Sequence, residues 1–140
     1  MKVLLDTNVV LDLLLGREPF VRQAESIFVM VENKEIEGFL CATSIVTLHY
    51  LIGKSKGNKE ADSIISDLLT LFHIAPVNKS VLQWACVHNG LDYEDSVIYT
   101  AAEQEDVDVI VTRDAKGFKR SKVTVVTPEL FLAGVSFREE

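Results

Sequence analysis

Apolar and polar positions alternate along this chain in two periods, and the places where the period changes outline its architecture. Val3-Leu4-Leu5 is a short unbroken apolar run of the kind a strand buried on both faces shows, and Asp6-Thr7-Asn8 ends it abruptly. Thr7 or Asn8 can cap a helix running through Leu15 and stopped by Gly16, and Pro19 suits the first turn of another helix reaching about Asn33. Gly38–Ala42 reads as a second strand. Thr43 or Ser44 then caps a helix with Val46, Tyr50 and Leu51 on one side, ended by the breaker stretch Gly53–Asn58. From Lys59 to Leu71 the residues Ala61, Ile64, Ile65, Leu68, Leu69 and Phe72 recur at helical spacing.

The second half repeats the scheme. Phe72–Val77 is a weaker strand because Pro76 cannot donate to a ladder. Helices follow over Lys79–His88 and from Tyr93 or Glu94 to about Gln104. Strands are predicted at Val109–Thr112 and Val123–Val126, and Thr127-Pro128-Glu129 opens a last helix with Thr as N-cap and Pro at the first helical position. Strands alternating with helices imply a mainly parallel sheet of about five strands covered on both faces, an α/β fold. With 140 residues and no linker, repeat or low-complexity stretch, residues 1–140 are expected to form one domain.

Composition narrows the class. A hydrophobic fraction of 48% beside 25% charged residues is that of an ordinary globular protein, and the apolar runs are too short to span a bilayer. Lys2 leads straight into a strand and an acid, not into an apolar leader, so a cytoplasmic protein with no membrane association is expected. Cys41 and Cys86 are isolated in apolar surroundings and read as reduced thiols. A net charge of −7 argues against a general nucleic-acid coating protein. It leaves room for a nuclease, because a cation neutralises the acids of a metal centre.

Chemistry concentrates where strands end. Open α/β sheets place ligands at the carboxyl ends of their strands, where Asp6 follows the first strand and Asp114 the fourth. Glu94 and Asp95 arrive at a helix start, with Asp92 beside them as an equally good helix cap. Any one of these acids alone suits a cap or turn. Together they suggest a hard divalent cation such as Mg²⁺ or Mn²⁺, which takes oxygen ligands, keeps several waters and assists phosphodiester hydrolysis. A small phosphatase is the weaker alternative, since neither a Gly-rich phosphate loop nor an Asp-x-Asp pair follows the first strand.

Leu4-Leu5-Asp6-Thr7-Asn8-Val9, Asp92-Tyr93-Glu94-Asp95 with the helix to Ala102, Val109–Asp114, and Val126–Leu132 together resemble the PIN-domain family. The resemblance extends over nearly the whole chain and is greatest to the stand-alone prokaryotic branch near VapC-like toxins. It implies a Rossmann-like α/β/α sandwich and a Mg²⁺- or Mn²⁺-dependent endoribonuclease, with an antitoxin partner. Asp6, Glu94, Asp95 and Asp114 match the family's catalytic and metal-binding acids, and Thr7, Asn8 and Thr112 its neighbouring polar positions. Two departures stand out. Thr47 stands where relatives often carry an acid on the helix after the second strand, and Lys116-Gly117-Phe118 lacks an acid before its aromatic residue. The first leaves a catalytically weakened RNA- or protein-binding module as the alternative function.

Basic residues gather in two places, Lys54 and Lys56 (with Lys59) around the expected loop, and Arg113, Lys116, Lys119 and Arg120 (with Lys122) after the last acid. Both are candidate RNA-phosphate contacts, the second being better placed. His49, His73 and His88 lack metal-ligand spacing, and Trp84, Tyr50 and Tyr99 are expected as core or interface aromatics. The apolar helices Phe20–Val31 and Ala61–Phe72 carry more apolar surface than one layer of covering requires, which suggests an association face and a homodimer.

Overall fold

The computed structural model describes residues 1–87, 92–115 and 122–139. Five strands, β1 (Lys2–Leu5), β2 (Glu37–Cys41), β3 (His73–Ala75), β4 (Val109–Val111) and β5 (Thr124–Val126), form one sheet in the order β3-β2-β1-β4-β5. Every pairing is parallel, as the helical crossovers require. The helices are α1 (Thr7–Leu14), α2 (Val21–Glu32), α3 (Ala42–Lys56), α4 (Asn58–Leu71), α5 (Lys79–Ala85), α6 (Tyr93–Gln104) and α7 (Pro128–Glu139).

Strand alternation divides the core in two. Val3 and Leu5 of β1, Leu40 of β2, and Val109 and Val111 of β4 face one side, where α1, α2, α3, α4 and α7 bury Val10, Ile27, Leu48, Leu68 and Phe131. Leu4, Phe39, Cys41 and Ile110 face the other, against Val81 and Ala85 of α5 and Val97, Ile98 and Tyr99 of α6. The result is the three-layer α/β/α sandwich expected. Among the described residues no helix is long and apolar enough to cross a membrane.

Several local expectations are corrected. Asp6, not Thr7 or Asn8, is the N-cap of α1, its side chain accepting from the Thr7 amide. Pro19 precedes α2 and does not sit in its first turn, which begins at Val21. The helix after β2 starts at Ala42, ahead of the expected Thr43 or Ser44 cap, and runs on to Lys56. Gly53 therefore lies inside α3, where a Cβ would stand 2.6 Å from Asn58 Oδ1, so it is a packing glycine. Gly57, at φ 89°, makes the actual turn between α3 and α4. In α2, Ala24, Ile27, Phe28, Met30 and Val31 are buried in the core while Val29 is exposed, as is Leu69 on α4. Large apolar side chains also reach the surface at Val46 and Tyr50 on α3 and Trp84 on α5, so these two aromatics are not in the core.

Candidate active site

The chain starts in the middle of the sheet, builds outward to β3, then returns to the other side of β1 for β4. That reversal leaves a crevice between the carboxyl ends of β1 and β4, the switch point where open α/β sheets bind ligands. Leu5 pairs with Val111, so Asp6 and Thr112 emerge side by side. The Asp6 amide donates to the Val111 carbonyl at 2.9 Å, and the Thr112 amide to the Val126 carbonyl at 3.0 Å. Both side chains are buried there.

A polar network fixes them. Asp6 Oδ1 accepts from the Thr7 amide at 2.8 Å, and Oδ2 accepts from the Thr112 hydroxyl at 2.7 Å. The same hydroxyl oxygen accepts from the Asp114 amide at 3.1 Å and from Asn8 Nδ2 at 3.4 Å, while Asn8 Oδ1 accepts from the Arg113 amide at 3.3 Å. One threonine hydroxyl thus orients an acid on one strand and the backbone of an acid on the next. Thr7 Oγ1 donates to Ser44 Oγ at 2.9 Å, which ties in the start of α3.

The N-terminus of α6 supplies the remaining acids. Asp92 is its N-cap, accepting from the Asp95 amide at 2.8 Å, and Glu94 and Asp95 lie in the first turn. Burial raises the Asp95 carboxyl to about 6, with repulsion from Asp92, Asp6, Asp114 and Glu94 adding to it. Asp6 is also raised, by burial first; hydrogen bonds from Thr112 and Thr7 oppose this, and Asp114 and Asp92 reinforce it. Asp6, Asp92, Glu94, Asp95 and Asp114 are therefore brought within electrostatic reach of one another, Asp6 buried and Asp114 exposed. Among the described residues no three His, Cys, Asp or Glu groups form a ready metal cage. The donor set is all oxygen and electrostatically crowded, which fits a hard cation that keeps several waters and needs few direct ligands.

Other candidates lie elsewhere. Thr47 does not join the network; its hydroxyl donates back to the Thr43 carbonyl at 3.3 Å. Lys54 and Lys56 occupy the last turn of α3, not a loop, and Lys54 lies about 15 Å along the helix from Ser44. Its ammonium sits over the Tyr50 ring at 5.5 Å. Arg113 turns from the crevice to Asp12, Nε to Oδ2 at 2.8 Å, with its guanidinium 4.2 Å from the Phe20 ring centroid. Lys116, Lys119, Arg120 and His88 lie outside the described residues. His49 pairs with Asp62 at 2.6 Å, and His73 packs by Phe39.

Sequence reasoning missed Ser44 and Asp12. A serine near a helix start reads only as a cap, and Asp12 reads as an interruption in the apolar run Val9–Leu15. Asp12 is 1% exposed. Burial pushes its carboxyl up, while Arg113 and Arg17 pull it down.

These features define an α/β/α fold with an acidic crevice at its switch point. Residues 2–116 match the family model for the PIN domain, and the chain belongs to that family. It is 26% identical over 136 residues to the Ribonuclease VapC1 of Aquifex aeolicus (strain VF5), covering 93% of this chain and 92% of the relative. Among solved structures, a toxin–antitoxin complex from Klebsiella pneumoniae superposes with a TM-score of 0.69 at 21% identity, over 90% of this chain and 97% of the other. FitAcB from Neisseria gonorrhoeae gives 0.66 at 22% identity, over 91% and 98%.

Proposed function

We propose that this protein is a metal-dependent endoribonuclease hydrolysing RNA phosphodiester bonds at the acidic crevice. The observation that carries the reading is the crowding of Asp6, Glu94, Asp95 and Asp114 at one sheet edge, which adds to burial in raising Asp95 to about 6. Likeness to a protein named a ribonuclease, across nearly the full length of both chains, supports the choice of substrate.

Asp6, Asp95 and Asp114 would hold Mg²⁺ or Mn²⁺, with Glu94 beside them. When bound, the cation polarises a non-bridging phosphate oxygen and eases formation of hydroxide from water. Asp6 is kept in place by Thr112 and Thr7. Asp95, whose carboxyl lies near 6 in the metal-free chain, would be drawn to its carboxylate form by the bound cation. The buried floor of β1 and β4 excludes bulk water from one side of the site.

Structural neighbours described as toxin–antitoxin complexes support an antitoxin protein as partner and, with it, a toxin role in the cytoplasm. An apolar groove of about 660 Å³ lined by Ile45, Val46, His49, Tyr50 and Ile65 gives a protein partner or a second copy of the chain a face to cover. The second reading, a catalytically weakened RNA- or protein-binding module, is favoured by one observation: Thr47 is turned back along its own helix.

The deciding assay incubates single-stranded and structured RNA with Mg²⁺ or Mn²⁺, with EDTA and Asp6→Asn controls. Cleavage that requires the cation and vanishes in the variant supports the ribonuclease. Cleavage surviving equally in Asp6→Asn rejects the site, and calorimetry unchanged on adding Mn²⁺ favours the binding module.

A further inference from the structure

The acid Asp114 is exposed, and two hydrogen bonds hold the backbone that carries it, from the Arg113 amide to Asn8 and from its own amide to Thr112. The Arg113 side chain supplies a third hold. It reaches across to α1 and places Nε 2.8 Å from Oδ2 of Asp12, 101 positions earlier, while its guanidinium lies over Phe20 at 4.2 Å. Asp12 is 1% exposed and sits among the core residues Val9, Val10 and Leu11. Neither its other oxygen nor Arg113 Nε makes a hydrogen bond, so the contact with Arg113 is an ion pair, and that other oxygen faces Arg17 Nη1 at 4.0 Å.

A buried carboxylate is costly even when paired, and a hydrophobic residue of like size often serves stability as well or better. Stability alone is therefore a poor reason for Asp12. Geometry is a better one. The α1 helix carries the first acid as its cap, Asp6, and the Arg113 receptor six residues later, so one rigid element can set the spacing between Asp6 and Asp114.

We propose that Asp12 is a positioning residue, whose buried carboxylate locks Arg113 against α1 and Phe20 and so holds Asp114 at the spacing from Asp6 that the cation requires. This rests on the ribonuclease reading for its activity measurement but not for its metal measurement. A misplacement of about 1 Å can cost a catalytic centre about 100-fold, so a brace one residue from an exposed acid matters.

The test compares the intact protein with Asp12→Asn, Arg113→Lys, Arg113→Gln and Asp12→Asn/Arg113→Gln, each below its melting temperature. Calorimetry with Mn²⁺ alone should show Kd weakened about tenfold in Asp12→Asn, and RNA cleavage should lose kcat by about 10- to 100-fold with KM little changed. Arg113→Lys keeps the charge without the planar fork, so it should recover melting temperature more than Mn²⁺ affinity. The double variant should lose no more Mn²⁺ affinity than Arg113→Gln alone. Asp12→Asn that melts earlier yet keeps wild-type Mn²⁺ affinity and kcat overturns the proposal. Should Asp12→Asn not fold, unchanged Mn²⁺ affinity in both Arg113 variants overturns it equally. Wild-type protein that binds Mn²⁺ but cleaves no RNA rejects the ribonuclease alone, and the brace is then judged on Mn²⁺ affinity.

Discussion

The Thr112 hydroxyl donates to the buried Oδ2 of Asp6 at 2.7 Å, joining two residues 106 positions apart across the parallel pairing of β4 with β1. Replacing Thr112 by Val keeps the shape and removes that hydrogen, along with the acceptor for the Asp114 amide. A buried carboxylate left short of a donor costs about 2 kcal/mol. Urea unfolding of Thr112→Val should show a loss of that order, and Mn²⁺ affinity should fall with it.

Cation binding should stabilise the fold by mass action. Mn²⁺ at about 100 times its Kd should add about 2.7 kcal/mol, read as a rise in melting temperature that EDTA abolishes. Asp95→Asn should remove most of that rise. Without metal, the same variant should melt no earlier than the wild type, because it removes the burial of a charge, and the repulsion added to it, that lift Asp95 to about 6.

In the metal-free folded chain Asp95 takes up its proton near 6, against 3.8 for an ordinary aspartate in the unfolded chain. Between those values the folded state binds more protons, so its stability falls as pH rises through that window. Mn²⁺ binding needs the carboxylate and should strengthen over the same interval. The gap between melting curves taken with and without Mn²⁺ should therefore widen from pH 4 to 7, and parallel curves would speak against Asp95 as a ligand.

Gly38 tests the packing of the layer over β2. A Cβ there would stand 2.7 Å from the Phe72 ring and 2.9 Å from Val31 Cγ1. The ring is itself fixed edge-on to Phe28, with centroids 5.3 Å apart. Gly38→Ala should cost about 1–3 kcal/mol by overpacking, measured by urea unfolding, with Mn²⁺ affinity unchanged in the folded fraction.

What the chain reveals unaided follows from the range of each interaction. Asp6 is legible because Val3, Leu4 and Leu5 demand burial and the next residue must then sit at the strand's end. Asp92, Glu94 and Asp95 are legible because capping is local. Asp12 is not, since the partner that explains it lies 101 positions away and a lone acid in Val9–Leu15 gives no direction. Gly53 and Gly57 show the same limit: both can break a helix, and only the approach of Asn58 tells which one does.

The reversal of strand order at β1 also sets a schedule. Asp6 leaves the ribosome before its neighbours on the far side of the crevice, Thr112 and Asp114, which are made only after three further strands and six helices among the described residues. A nascent chain shorter than that can dock β2 and β3 onto β1, yet it has no second wall for the acidic edge. During synthesis the acidic edge therefore stays open on one side until the fourth strand is in hand.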